Sequence, residues 1–264
     1  MIMITESFSE EREALFSPGA FLGERKYLCD TAIATFSGEI YQAIIDKYPH
    51  REVAHIGSAN GCKPVYAIEI NGKEIVFYLS SIGACLAGID IIEMQWQTGV
   101  KNLIIFGSCG ALDSDATNGK YIIPTQAYRD EGMSYHYAPP ADYMEIKNSE
   151  RLAEIFEELR LPFVKGRIWT TDAPYRETKT AVEKRKNDGC LAVEMELAGI
   201  QAVCDFHEIE LYSFVMTGDV LDGEEYVIEG LEEANHCLDN FKIALKITEI
   251  IERGKQSEPE TNQR

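Results

Sequence analysis

The sequence is short of three things, and each shortage closes off a class of function. Positive charge is scarce: 25 lysines and arginines face 44 aspartates and glutamates, for a formal net charge of −19. Such a field repels a phosphate backbone, so nucleic acid is not an expected partner. No apolar run approaches the roughly eighteen residues that cross a bilayer, and the start of the chain has no basic segment followed by a long apolar one. A cytoplasmic protein with no membrane partner is expected. Cys-x-x-Cys pairs are also missing: the seven cysteines are an odd number scattered through 264 residues. Neither a disulfide framework nor a zinc site is expected.

What is present is a 45% hydrophobic fraction in a chain long enough to bury one large core. No linker interrupts the middle, so one domain is expected over 1–252. Residues 253–264 hold no apolar side chain and read as a disordered tail.

The apolar spacing alternates between two periods. Ala32 to Phe36 reads as a strand, and 40–47 as a helix opened by Ser37-Gly-Glu. The runs 65–70 and 74–79 flank Asn71-Gly72, a strong hairpin signal. A helix is expected over 88–96. Asn102 to Phe106 reads as a buried central strand that ends in Gly107-Ser-Cys-Gly110. Further strands are expected at 120–124, 165–169 and 211–216, with helices at 151–160, 192–206 and 230–254. Strands apolar along their whole length, alternating with helices, indicate a three-layer α/β/α fold around a central mixed sheet.

Three polar clusters follow these strands, where open α/β sheets bind ligands. In Gly107-Ser108-Cys109-Gly110 the glycines would let amides approach an anion and Ser108 would add a hydroxyl, although a plain tight turn has the same composition. Thr170-Thr171-Asp172 is the second cluster. In the third, Thr217-Gly218-Asp219, partial burial would raise the aspartate toward the range of a general acid, while turn capping is the ordinary use of Gly-Asp. Glu194 and Glu196 add two carboxyls in the apolar setting 191–199. Such a pair either stabilises a helix start or accepts from the vicinal hydroxyls of a sugar.

Taken in order, Gly107-Ser-Cys-Gly-Ala111, Thr170-Thr-Asp-Ala-Pro-Tyr175 and Val193-Glu-Met-Glu196 resemble the nucleoside phosphorylase superfamily of purine nucleoside phosphorylases, uridine phosphorylases and methylthioadenosine-type nucleosidases. The resemblance runs from about Tyr66 to Asp219. It implies cleavage of the N-glycosidic bond of a purine or pyrimidine nucleoside, with inorganic phosphate as co-substrate, to give free base and ribose 1-phosphate. Ser108 would then hold phosphate beside Cys109, Gly110 and the Gly83 loop. Met195 and Glu196 would hold the ribose, with Glu194 before them. Asp219 would protonate the departing base, and Tyr175 would stand nearby. A homo-oligomer is implied, either a dimer or a trimer of dimers, and no metal or organic cofactor.

The departures from the pattern are specific. Ile105 stands where phosphate-binding members carry an arginine, and Phe36-Ser-Gly-Glu-Ile-Tyr41 lacks the arginine of their first loop. Pro174 falls where the purine enzymes place a base-stacking aromatic. Arg129, Arg176 and Arg25 are the candidate substitutes for the phosphate ligands. Hydrolysis is the alternative, with Glu39 as the base for water, and a catalytically silent nucleoside-binding protein is the third reading. The polar, aromatic stretch 129–140 reads as a lid or a surface loop, with His136 and Tyr137 as possible substrate contacts.

Overall fold

Alternate residues of the central strands face opposite ways, and two apolar layers form as a result. A computed structural model describes residues 3–59 and 61–257. Ten strands are present among them: β1 Thr31–Thr35, β2 His50–Ser58, β3 Gly61–Ile70, β4 Lys73–Leu79, β5 Asn102–Ala111, β6 Tyr121–Asp130, β7 Tyr143–Glu145, β8 Phe163–Thr171, β9 Cys190–Glu194 and β10 Glu210–Val220. Ile33, Ile104, Phe106 and Phe214 pack with Ile40, Phe156 and Phe241, which come from the helices Gly38–Lys47, Ser149–Glu158 and Leu238–Ser257. Their neighbours Ala32, Leu103, Ile105 and Leu211 pack instead with Ile91 and Val203 from the helices Ala84–Thr98 and Leu197–Phe206. The expected α/β/α layering follows, with each fully buried isoleucine or phenylalanine contributing about 1.5–3 kcal/mol.

The sheet is mixed and partly closes on itself. Its order is β2-β3-β4-β1-β5, after which β5 pairs with both β10 and β9, and β10-β6-β8-β9 completes a ring of five strands. The hairpin at Asn71-Gly72 forms as expected. Both residues have positive φ, 53° and 78°, as a two-residue turn matched to strand twist requires.

Three expectations change. The strand through Phe106 does not stop at Gly107 but runs to Ala111, because β10 stays paired alongside it as far as Val220. Residues 190–194 are a strand, and the helix begins only at Leu197. The closing helix expected over 230–254 is two helices, Leu231–Asn235 and Leu238–Ser257, broken at His236; the second runs five residues into the stretch expected as a tail, and 258–264 lie outside the described residues. No helix among the described residues is long and apolar enough to cross a membrane.

Candidate active site

The ring and the open sheet part company along β5, and a cavity of about 920 Å³ fills the gap. The pairing of β1 with β5 ends at Phe106, and that of β9 begins only at Gly110. Gly107, Ser108 and Cys109 therefore have β10 on one side and the cavity on the other. This is a switch point of the kind where α/β sheets place ligands. The second glycine of the motif serves packing: a Cβ on Gly110 would stand 2.4 Å from Leu221 and 3.2 Å from Val193.

Thr170, one residue before the end of β8, pairs with Glu194, the last residue of β9, and both close the start of the helix Leu197–Phe206. The Glu194 carboxylate accepts the amides of Glu196 and Leu197, each at 2.7 Å, and the Thr170 hydroxyl, which itself accepts the Ala198 amide at 3.1 Å. Glu194 is thus largely a capping group, satisfying amides that a helix start leaves without partners. Glu196 differs. Its carboxylate accepts the Gly83 amide at 2.7 Å and keeps lone pairs for further donors. Gly83 sits at φ 93°, a conformation that side chains disfavour, and the next amide, of Ala84, donates to the Met195 carbonyl at 2.9 Å. Burial pushes both carboxyls upward, and the Glu196 charge raises Glu194 further.

At the far end of β10, half-burial raises Asp219, while the Tyr226 hydroxyl donates to it and acts in the opposite sense. Glu177 stands close by, pushed up to about 7 by burial and then by the Asp219 charge. These carboxyls have a thermodynamic consequence. The unfolded chain releases their protons at the ordinary carboxylate value, and the folded chain releases them later, so their contribution to stability is lost as pH rises from about 4.5 toward 7. The melting temperature is expected to fall between pH 5 and pH 7, and Glu177→Gln to flatten that fall; a profile unchanged by the substitution would exclude Glu177 as a source.

A family model described as the phosphorylase superfamily matches residues 30–249. The chain belongs to this superfamily. Over 162 residues it is 30% identical to a DeoD-type purine nucleoside phosphorylase from Bacillus cereus, covering 60% of this chain and 69% of that relative. A purine nucleoside phosphorylase from Toxoplasma gondii, solved in complex with immucillin-H, superposes with a TM-score of 0.70 at 18% identity, over 88% of this chain and 97% of that one. An AMP nucleosidase from Bacteroides thetaiotaomicron VPI-5482 gives 0.66 at 17%, over 89% and 92%. At those identities the likeness speaks for the fold.

The phosphorylase-superfamily motifs converge: Ser108, Cys109, Gly110, Glu194, Met195, Glu196 and Asp219 all line the cavity, and Tyr175 stands fully exposed on its rim. Gly83 is not in the lining and reaches it only through Glu196. The candidate phosphate arginines do not converge. Arg129 is buried, and its guanidinium donates to the Ser134 hydroxyl at 2.8 Å and to the carbonyls of Pro139, Ala138 and Ala141, with its plane 4.1 Å from the Tyr135 ring centroid. It folds the 129–140 segment, where four of its five N–H donors are engaged. In Arg129→Met these acceptors lose their partner, and a loss of about 3 kcal/mol in urea denaturation is expected; stability within 0.5 kcal/mol of the parent, about the spread of surface substitutions, would contradict that role. The segment is no lid over the cavity: Tyr137 packs edge-on against Phe206, and neither it nor His136 lines the site.

Arg25 stacks over Tyr27 and Trp96, and Arg176 is exposed; neither lines the cavity. Ile105 is buried beside a void of about 20 Å³, which Ser108, Glu194 and Glu196 also border. The Glu39 side chain is 71% exposed and is not among the residues that line the cavity; it stands 3.9 Å from Nε2 of His236, which does line it. Sequence reasoning missed Glu177, Tyr226, Ser37, Asn235 and His236, all of which line the cavity. Two of them carried a signal: Ser37 as the residue that opens a helix after the first strand, and Glu177 as the residue that continues Pro174-Tyr-Arg176 into the following turn.

Proposed function

We propose that the protein cleaves the N-glycosidic bond of a nucleoside with water as the nucleophile. The observation that carries this reading is the charge of the lining. Glu177, Glu194, Glu196, Asp219, Glu224 and Glu225 face the cavity against Lys179 and His236, and no arginine among the described residues reaches it. Lys179 is already turned to the Glu224 carbonyl at 3.1 Å. Acidic side chains outnumber basic ones in this lining, which disfavours entry of a phosphate dianion and leaves water unaffected.

The same field suits the transition state. As the bond loosens the ribose takes on oxocarbenium character, and carboxylates in a partly dehydrated cavity stabilise that positive charge. Glu196 accepts from the sugar hydroxyls. Asp219, whose pKa burial raises, delivers a proton to the base, so that a neutral leaving group departs.

Phosphorolysis is the second reading, and it is favoured by the Ser108 hydroxyl at the cavity wall and by the 30% identical purine nucleoside phosphorylase. Incubation with a panel of purine and pyrimidine nucleosides, with and without inorganic phosphate, separates the two. Free ribose at a phosphate-independent rate is expected. Ribose 1-phosphate formed only with phosphate would replace the water reading with phosphorolysis.

A further inference from the structure

Asn235, the last residue of the helix Leu231–Asn235, and His236, which follows it before the helix Leu238–Ser257, each contact a serine hydroxyl at the cavity wall. Asn235 Oδ1 accepts the Ser108 hydroxyl at 2.5 Å. His236 Nδ1 lies 2.7 Å from Ser37 Oγ. Ser37 is the N-cap of the helix Gly38–Lys47, and its Oγ also accepts the Ile40 amide at 3.1 Å. On the other side of the imidazole, Nε2 faces Glu39 Oε1 and Glu232 Oε1, each at 3.9 Å.

Hydroxyl, imidazole and carboxylate in that order form a proton-relay arrangement. In the tautomer protonated at Nε2, the Ser37 hydroxyl, whose oxygen accepts the Ile40 amide, donates to Nδ1. The Nε2 proton then faces the two carboxylates. We propose that Ser37 and His236 together deprotonate the attacking nucleophile, with Glu39 and Glu232 stabilising the imidazolium that results. The proposal rests on the water reading, since phosphate arrives already anionic and requires no base.

The step balances. The water oxygen bonds to the anomeric carbon as the carbon–nitrogen bond breaks, and the electron pair of that bond stays with the base nitrogen, which takes the Asp219 proton. One water proton passes to Ser37 Oγ while Ser37 gives its own to His236 Nδ1. Exchange with solvent returns the proton from His236 and reloads Asp219. Glu39 thereby acts behind the imidazole as a positioning residue, and the hydroxyl and imidazole stand in the proton-accepting place.

The test compares wild type, His236→Gly and the double variant Glu39→Gln/Glu232→Gln, with free sugar and sugar 1-phosphate both quantified, with and without phosphate. His236→Gly is expected to release free sugar about 10²-fold more slowly and to regain rate when imidazole is added. The double variant changes only exposed side chains, 71% and 87% accessible, and so keeps the fold; it is expected to slow about fivefold. Wild type that makes only sugar 1-phosphate would overturn the water reading and the relay with it. Wild type that hydrolyses at the same rate as His236→Gly would overturn the relay alone, as would a slowed glycine variant that imidazole does not restore while the double variant runs at full rate.

Discussion

Asp219→Asn is expected to lower kcat/KM on neutral nucleosides by about 10²–10⁴-fold, the range for loss of a general acid. It should leave a nucleoside with a permanently cationic base, such as a pyridinium riboside, within a few-fold of wild type. The argument starts from position. Asp219 stands one residue before the end of β10 and lines the cavity, and half-burial raises its pKa above the ordinary aspartate value. A neutral base leaves badly as an anion and well once protonated, so the proton donor matters in proportion to the basicity of the leaving group. A base already carrying positive charge needs no proton. The two substrates are measured side by side by base release. Equal losses on both would mean that the amide disturbs binding, and no loss on either would move the acid to Glu177, whose carboxyl is held at about 7 beside it.

Much of this architecture could be read in the sequence, for identifiable reasons. The runs around Ile33, Ile104 and Phe214 are apolar at consecutive positions because both faces of those strands are covered. The Asn71-Gly72 hairpin was legible because only a few residue pairs tolerate two positive φ values in succession. The closure of the ring was not legible. It depends on Gly110 pairing with Val193 and Asp219 at once, a long-range coincidence with no local signature. Glu194 was misread by one element for a related reason, since Ala192-Val193 is as compatible with a small-residue helix as with a short strand.

The site divides in the same way. Motif residues converge because β10 runs parallel to β5 while β9 meets β5 antiparallel at Gly110, which brings Asp219 and Val193-Glu194 to the same stretch of β5. Side chains that reach the cavity from distant helices, His236 and Asn235 among them, have no counterpart in local pattern. The arginines show the converse. Nothing in composition distinguishes a guanidinium that folds its own loop from one that waits for an anion, and Arg129 proves to be the first kind. The charge of the cavity emerges only when all the lining residues are assembled.

Glu196 offers the second large effect, and it tests sugar recognition apart from base departure. The Gly83 amide fixes its carboxylate, which leaves other lone pairs to accept the two vicinal hydroxyls of a ribose. Two charge-assisted hydrogen bonds together contribute roughly 3–4 kcal/mol, so Glu196→Gln should lower kcat/KM on a ribonucleoside by about 10²–10³-fold. Part of that loss is expected in kcat, because the sugar becomes more positive as the bond loosens and the neutral amide cannot follow that change. A nucleoside lacking both hydroxyls should already react slowly with wild type, and the substitution should change its rate far less. The comparison is a cycle in which one alteration is made in the protein and the other in the ligand, so a coupling of more than about 1.5 kcal/mol isolates the contact. Additive losses would place the sugar hydroxyls elsewhere and leave Glu196 with the Gly83 loop as its main partner.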